Sequence, residues 1–547
     1  MAEIDSIVSR FSRIASEYRD KPVLLAEGGL GKAWTYGEVL SRVKRIAGGL
    51  VASDLVDENG IGLMSENCPE WPIAYLSILT AGATVVPIDA NLRPEEISYI
   101  IGHSRIRTVI ASPVTARTLK DLRLGLNIFV ITDDQPESWN QLHDHEPIEG
   151  LIADNPQAAL IYTSGTTGAP KAVQLSHKNL LANVDGIQLI LKIHDHDRFY
   201  SILPLHHTFE ATAGFILPIL SGASIIYARS LKSRDILEDI GRTKCTLMIG
   251  VPLLFEKMHH NFIKRISEVP KHQQVMFQTF MAASRIGWKL GGRPGKRLFR
   301  PLRRKAGLDS IRIFCSGGAP LPPHISEFFN MLGFDFLQGY GMTEASPVIS
   351  VNRPENIEFG SVGPPIGNVE VRIDNPTSDG IGEIVVRGDS VTSGYKDNPK
   401  LTEELICDGW LHTGDLGRMY NGHIWITGRG KNVIVSAAGK NIYPEELEEK
   451  LLESDLVMEA IVFGRNRETR QGEEVRALIV PNMESIATRF GISETTRNPE
   501  KIREIFRDVI AGVNQRVAEF KRISAFDLQF EELAKTSTRK VKRYLYS

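Results

Sequence analysis

At 547 residues the chain is about three to four times the usual single-domain size, so several packed layers or more than one domain are expected. Apolar residues at 42% and charged residues at 24% exclude the disordered and fibrous classes. Lys plus Arg at 64 nearly cancel Asp plus Glu at 66, so the overall charge gives no reason to expect nucleic acid as a partner.

The start, MAEIDSIVSRFSRIASEY, has no unbroken apolar run and reads as an amphipathic helix rather than a secretory signal. Cys68, Cys245, Cys315 and Cys407 form no CxxC pair and suit a reducing cytoplasm. From QAALIYT onward, strand-like runs alternate with helical patterns: SHKNLLANVDGIQLIL, RFYSILPL, SIIYA, TLMIGV into PLLFEKMHH, and IRIFCS through GGAPLPP into HISEFFNML. This alternation predicts α/β layering, with ligand positions at strand ends. GFILPILSGASIIYA is broken by Pro218, Ser221 and Gly222 and falls short of the ~20 residues of a membrane span. Residues 284–305 are strongly basic with Trp288, Leu290, Leu298, Phe299 and Leu302 interleaved; they suit peripheral contact with anionic lipid or with the phosphates of coenzyme A, or, more plainly, a solvated helical excursion over the large domain. From about residue 381 the texture changes to short β runs with Gly turns, GEIVVRG, HIWITG and NVIVSA, followed by the charged helix PEELEEKLLES; this change predicts a smaller α+β module starting near residue 430, with the hinge at TGRGK.

Residues 162–171, YTSGTTGAPK, set Thr163, Ser164, Thr166, Thr167, Gly165, Gly168 and Lys171 immediately after an apolar strand. Glycines admit backbone N–H groups to oxyanions, hydroxyls donate further hydrogen bonds, and lysine supplies a compact positive charge. The spacing is not GxxxxGK[ST]; alone, a hydroxyl-rich surface turn would account for it. It is followed by LPLHHTFE at 203–210, SGGAPL at 316–321, QGYGMTE at 338–344, DGWLHTGDLG at 408–417, TGRGKNVIV at 427–435 and KTSTRK at 535–540.

Together, in this order, the seven segments resemble the adenylate-forming (AMP-binding) superfamily of acyl-CoA synthetases, peptide-synthetase adenylation domains and luciferases, over about residues 20–545. The resemblance implies an α/β large N-terminal domain of layered sheets and helices, 1–428, a hinge at 429–431, and a small mobile α+β C-terminal domain, 432–547. It implies that the 163–171 loop holds ATP's phosphates, that Gly318, Ala319 and Pro320 wall the adenine, and that Gln338, Gly339, Tyr340 and Gly341 continue that wall, Tyr340 stacking on the base. Thr343 would meet the α-phosphate, Glu344 with Thr167 would hold Mg²⁺, and Asp415 with Arg429 would grip the ribose. His207, rather than His206, would lie by the substrate carboxylate, and Lys540 would stabilise charge in adenylation. Lys431 would be the hinge residue and Gly439 would leave room for the pantetheine arm of coenzyme A. Arg539 and Ala534 stand where relatives often have glycine and proline.

DGWLHTGDLG resembles the fatty acyl-CoA synthetase branch, and LPLHHTFE lacks the aspartate with which amino-acid adenylation domains meet an α-amino group. The expected reaction is therefore activation of a medium- or long-chain fatty acid by ATP to an acyl-adenylate, with pyrophosphate release, then transfer to coenzyme A. A holo acyl carrier protein is the alternative acceptor, and a non-catalytic nucleotide- or lipid-binding protein the alternative class.

Overall fold

The computed structural model describes residues 5–132, 138–148, 155–163, 170–436, 440–466, 473–492, 498–535 and 541–546. The chain divides into two compact units, Met1–Glu370 with Val386–Leu411, and Val371–Val385 with His412–Ser547.

The first unit is built on two sheets. Its strands are β1 (Pro22–Leu25), β2 (Ala33–Thr35), β3 (Ile61–Met64), β4 (Val85–Pro87), β5 (Thr108–Ala111), β6 (Asn127–Val130), β7 (Gln157–Thr163), β8 (Lys171–Ser176), β9 (Arg198–Ser201), β10 (Ser224–Tyr227), β11 (Leu247–Gly250), β12 (Ile313–Ser316), β13 (Asp335–Gly341) and β14 (Val348–Val351). One sheet runs β6-β5-β3-β4-β7-β8, with only β8 antiparallel to its neighbour. The other runs β14-β13-β12-β11-β9-β10-β1-β2, parallel from β13 through β1 with an antiparallel strand at each edge.

Strands such as IGLM, TVIA and LMIG are buried along their whole length. Helices cover both faces of a parallel sheet, so its strands read as continuous apolar runs instead of alternating ones. The helix Glu70–Thr80 is buried from Trp71 to Thr80, as an all-apolar helix must be. Ser176 ends β8 and starts the helix His177–Gln188: its hydroxyl accepts the Asn179 N–H, and the Asn179 side chain accepts the Ser176 N–H, a reciprocal cap. Phe336 of β13 meets Phe255 edge-on at 4.8 Å and stacks on Phe329 at 5.2 Å. This cluster locks β13 to the helices Pro252–Ser267 and Pro323–Met331, fixing the strand end from which QGYGMTE emerges.

The basic stretch 284–305 largely turns its apolar side chains inward. Phe299 is buried in the same cluster, with Trp288, Leu298 and Leu302 packed against it, and Trp288 stacks on Phe359 at 5.3 Å. Arg303 is buried and donates to the carbonyls of Leu332 and Lys296. Of the five interleaved apolar residues, only Leu290 is exposed. The stretch is a helical excursion covering the large unit, because an apolar side chain is stabilised more by the core than by water.

In the second unit Val457–Asn466 pairs antiparallel with Glu473–Pro481, which pairs parallel with Ala525–Leu528. The helices Pro444–Leu452 and Pro499–Gln515 cover this sheet through Leu447, Leu451, Ile502 and Phe506, an α+β arrangement. The expected hinge, 429–431, lies inside this unit, where Gly430–Asn432 forms a single 3₁₀ turn.

Candidate functional site

Thr163 and Lys171 are cross-strand partners at the joined ends of β7 and β8, so the loop between them leaves and returns at one point. Ser164, Gly165, Thr166, Thr167 and Gly168 lie outside the described residues. The Lys171 ammonium stands 5.2 Å from the Tyr395 ring centroid, within cation–π range. Tyr395 is held there by backbone pairing along the other edge of β8: Gln174 N–H donates to Gly394 O at 3.1 Å, and Lys396 N–H to Ala172 O at 2.9 Å. Its hydroxyl donates to Glu344 Oε1 at 2.7 Å. Burial, with the Glu344 charge and hydrogen bond adding to it, pushes the phenol's pKa well up, so Tyr395 stays a neutral donor.

The loop carrying Thr343 and Glu344 is fastened from several directions. The Glu344 carbonyl accepts the Thr392 N–H at 2.9 Å, and the Thr208 hydroxyl donates to Thr343 Oγ1 at 3.3 Å. Asn183 donates to the carbonyls of Ala345 and Val348. Strand β13 breaks register between Tyr340 and Gly341, and a Cβ on Gly341 would fall 1.9 Å from the Pro347 carbonyl oxygen. Only glycine admits that approach. Gly318 has φ +85°, a left-handed conformation that glycine adopts without strain. Gln338 Oε1 and Ser316 Oγ, on register partners of β13 and β12, are buried and unpartnered among the described residues.

Beneath Gly317, Gly318 and Gly339–Gly341 lies a cavity of about 90 Å³ lined by residues including Phe199, Phe209, Ala213, Leu217 and Met248. Among the described residues its only lining side chains with a polar atom are Tyr340, Cys315 and Met248, and burial pushes the Cys315 thiol up to about 12. Among the described residues the cavity lining includes no charged side chain. It is an apolar slot opening beside the Tyr340–Gly318 wall.

In LPLHHTFE, His206 Nε2 is 3.4 Å from Asp89 Oδ2, both side chains being buried. Burial lowers the imidazole's pKa against the opposing pull of Asp89. The His206 ring lies 4.1 Å from that of His207, and Thr208, the next residue, makes the bond to Thr343. His206 is thus a packed structural residue on which His207 rests.

The second unit brings Asp415 and Arg429 together as partners on adjacent antiparallel strands, Arg429 Nε donating to Asp415 Oδ1 at 2.8 Å. Lys431 is exposed in the 3₁₀ turn. Gly439 and Lys540 lie outside the described residues.

The sequence reading missed Tyr395, Thr208 and Asn183. GYKDNP reads locally as a turn before a helix, and nothing in it signals that the edge of β8 sets Tyr395 against a glutamate 51 residues away. Among the described residues no group of three His, Cys, Asp or Glu side chains could hold a metal ion. The single carboxylate of Glu344 fits Mg²⁺, which commonly takes one or two carboxylates and completes its shell with substrate phosphates and water.

A layered α/β unit with a lysine, a tyrosine and a glutamate gathered at its strand ends, followed by a small α+β unit, has the architecture of the adenylate-forming enzymes. The chain belongs to the AMP-binding enzyme family: the AMP-binding enzyme domain matches residues 11–396, and the AMP-binding enzyme C-terminal domain matches 431–544. It is 30% identical to the long-chain-fatty-acid–CoA ligase heimdall of Drosophila melanogaster, over 84% of this chain and 74% of that protein. It is also 30% identical to a feruloyl-CoA synthase of Amycolatopsis sp., over 82% of this chain and 84% of that one. Among solved structures, an ATP-bound RpMatB-BxBclM chimera superposes with a TM-score of 0.79 at 25% identity, covering 98% of both chains.

Proposed function

We propose that the protein is a medium- or long-chain fatty acid–CoA ligase of the AMP-forming kind, acting in the cytoplasm. The apolar slot carries this reading: a cavity whose described lining has no charged side chain suits an alkyl chain better than the hydroxylated ring or second carboxylate of other acids, whose polar groups it would leave unpaired.

An oxygen of the fatty acid carboxylate attacks the α-phosphorus of ATP; the new O–P bond forms as the bond to pyrophosphate breaks. Lys171 and the hydroxyls of 163–167 neutralise the departing pyrophosphate, and Thr343 donates to the α-phosphate. Glu344 with Thr167 would hold Mg²⁺, which supplies further charge neutralisation. Gly318, Ala319, Pro320 and Tyr340 wall the adenine, and Asp415 with Arg429 holds the ribose. Lys540 stabilises charge on the attacking oxygen and the α-phosphate. The sulfur of coenzyme A, admitted past Gly439, then attacks the acyl carbonyl, and AMP leaves with the electron pair of the broken acyl–phosphate bond.

Pyrophosphate exchange across a panel of acids tests the reading. Exchange should be strongest with saturated fatty acids; preference for ferulate, benzoate or malonate would reassign the substrate, and silence with every acid would favour a non-catalytic nucleotide- or lipid-binding protein. Parallel second-step assays with coenzyme A and a holo acyl carrier protein decide the acceptor, and transfer to the carrier alone would remove coenzyme A.

A further inference from the structure

The helix Lys271–Lys289 has two apolar faces, and the fold uses only one. Met281 is in the core, with Phe277, Phe280 and Trp288 packed against it, and Ser284 between them donates to the Met331 carbonyl. On the opposite face Val275 is 60% exposed, Met276 51%, Ile286 63% and, just past the helix end, Leu290 82%; Ala282 and Ala283 are exposed as well. At 3.6 residues per turn these six positions fall within an arc of about 120°, interrupted only by Thr279. Scattered exposed apolar side chains need no explanation, but a continuous stripe along four turns does.

The charge around the stripe is one-sided. No Asp or Glu occurs between Glu268 and Asp309, whereas ten Lys or Arg residues lie between Lys271 and Lys305, in a chain whose net charge is only −2. Several are engaged: Arg285 pairs with Glu327, Arg293 and Lys296 with Asp335, and Arg300 and Arg304 approach Asp309. Lys271, Lys289 and Arg297 are exposed. Lys271 and Lys289 border the stripe along one side, so the surface presents apolar side chains edged by cations. A second copy of this face would bring like charges together.

We propose that the outer face of the helix Lys271–Lys289 seats the protein peripherally on an anionic lipid surface. Ile286 and Leu290 enter the interface between headgroups and acyl chains, while Lys271, Lys289 and Arg297 meet the lipid phosphates. The aromatic and leucine residues further along the basic stretch take no part, being packed in the core.

Flotation of the full chain with phosphatidylcholine vesicles, with and without phosphatidylglycerol, tests this independently of which acid is the substrate. The protein should float with the anionic vesicles only, and less as salt rises. The double substitution Ile286→Glu with Leu290→Glu should weaken this binding by about tenfold or more, and Lys271→Glu with Lys289→Glu should weaken it too. Ala282→Leu should strengthen it. All five positions are exposed, so pyrophosphate exchange with a water-soluble acid should be unchanged and reports that the variants are folded. Absence of flotation, equal flotation on neutral vesicles, or binding that survives both double substitutions would overturn the proposal. So would a concentration-dependent dimer dissolved by Ile286→Glu with Leu290→Glu, which assigns the stripe to a second copy, or capture of an acidic carrier protein through Lys271 and Lys289 without vesicle binding.

Discussion

Glu344 accepts a hydrogen bond from a phenol whose pKa burial raises, and the Lys171 ammonium approaches the same phenol's ring, so the carboxylate is oriented before any substrate arrives. The Tyr395 hydroxyl supplies a hydrogen bond to a charged group, worth roughly 1.5–3 kcal/mol. Tyr395→Phe should therefore lower kcat/KM for pyrophosphate exchange by about 10- to 100-fold; an unchanged value would remove Tyr395 from the site. Lys540→Ala should cut exchange by about 100- to 1,000-fold, as loss of an oxyanion donor does, yet spare thioester formation from supplied acyl-adenylate. Glu210 is a different case. It is 1% exposed, neither carboxylate oxygen has a hydrogen-bond partner among the described residues, and burial raises its pKa to about 8 despite Ser201. Between the ordinary value of 4.5 and about 8, the folded state keeps a proton that the unfolded state has released, so stability falls as pH rises through this window and levels off above it. Glu210→Gln should flatten that slope and stabilise the protein more at the alkaline end than at the acid end, read as the denaturant midpoint against pH. A parallel shift at every pH would contradict the buried-acid account.

At the scale of elements, the wall of the apolar slot is a stretch of π-helix, Glu210–Ile216, a form that occurs mostly as short insertions and often at functional sites. It directs Phe209 and Ala213 into the cavity and carries Glu210 against Gly214. On the proposed function, a larger side chain at 213 would occupy volume the alkyl chain needs. Ala213→Phe should lower kcat/KM for long acids more than for short ones, and equal losses across chain lengths would show that the slot does not measure the chain. Strand β13 does related work: its aromatic cluster and the close approach at Gly341 aim Thr343 and Glu344, while the edge of β8 supplies Tyr395.

Over the whole molecule, the candidate site residues are divided between two units with separate cores. Lys171, Thr343 and Glu344 belong to the first; the Asp415–Arg429 pair, Lys431, Gly439 and Lys540 belong to the second. If, as the resemblance implies, Lys431 is the hinge between the two half-reactions, then Lys431→Pro, which fixes φ and removes an N–H, should leave pyrophosphate exchange largely intact and impair thioester formation. Equal loss of both steps would sink the hinge assignment.

The sequence by itself determined the α/β layering and the strand-to-helix units from Gln157 onward, and it marked the seven segments as candidate ligand positions, because periodicity and loop chemistry are local properties of the chain. Thr163, Lys171, Gly318, Tyr340, Thr343, Glu344, Asp415 and Arg429 were all legible as candidates in their motifs. Tertiary structure alone decided that Tyr395 meets Glu344 and Lys171, that Thr208 and Asn183 fasten the Thr343 loop, and that His206 supports His207. The contacts of Tyr395, Thr208 and Asn183 join residues far apart in the chain, and only the packed fold brings them into reach; the two histidines are neighbours in sequence, and what the fold decided there is the burial of His206 against Asp89. It also decided which side chains of the basic stretch face water: composition showed cations and apolar residues interleaved, but packing against the phenylalanine cluster buried Phe299, half-buried Trp288 and left Ile286 and Leu290 outside.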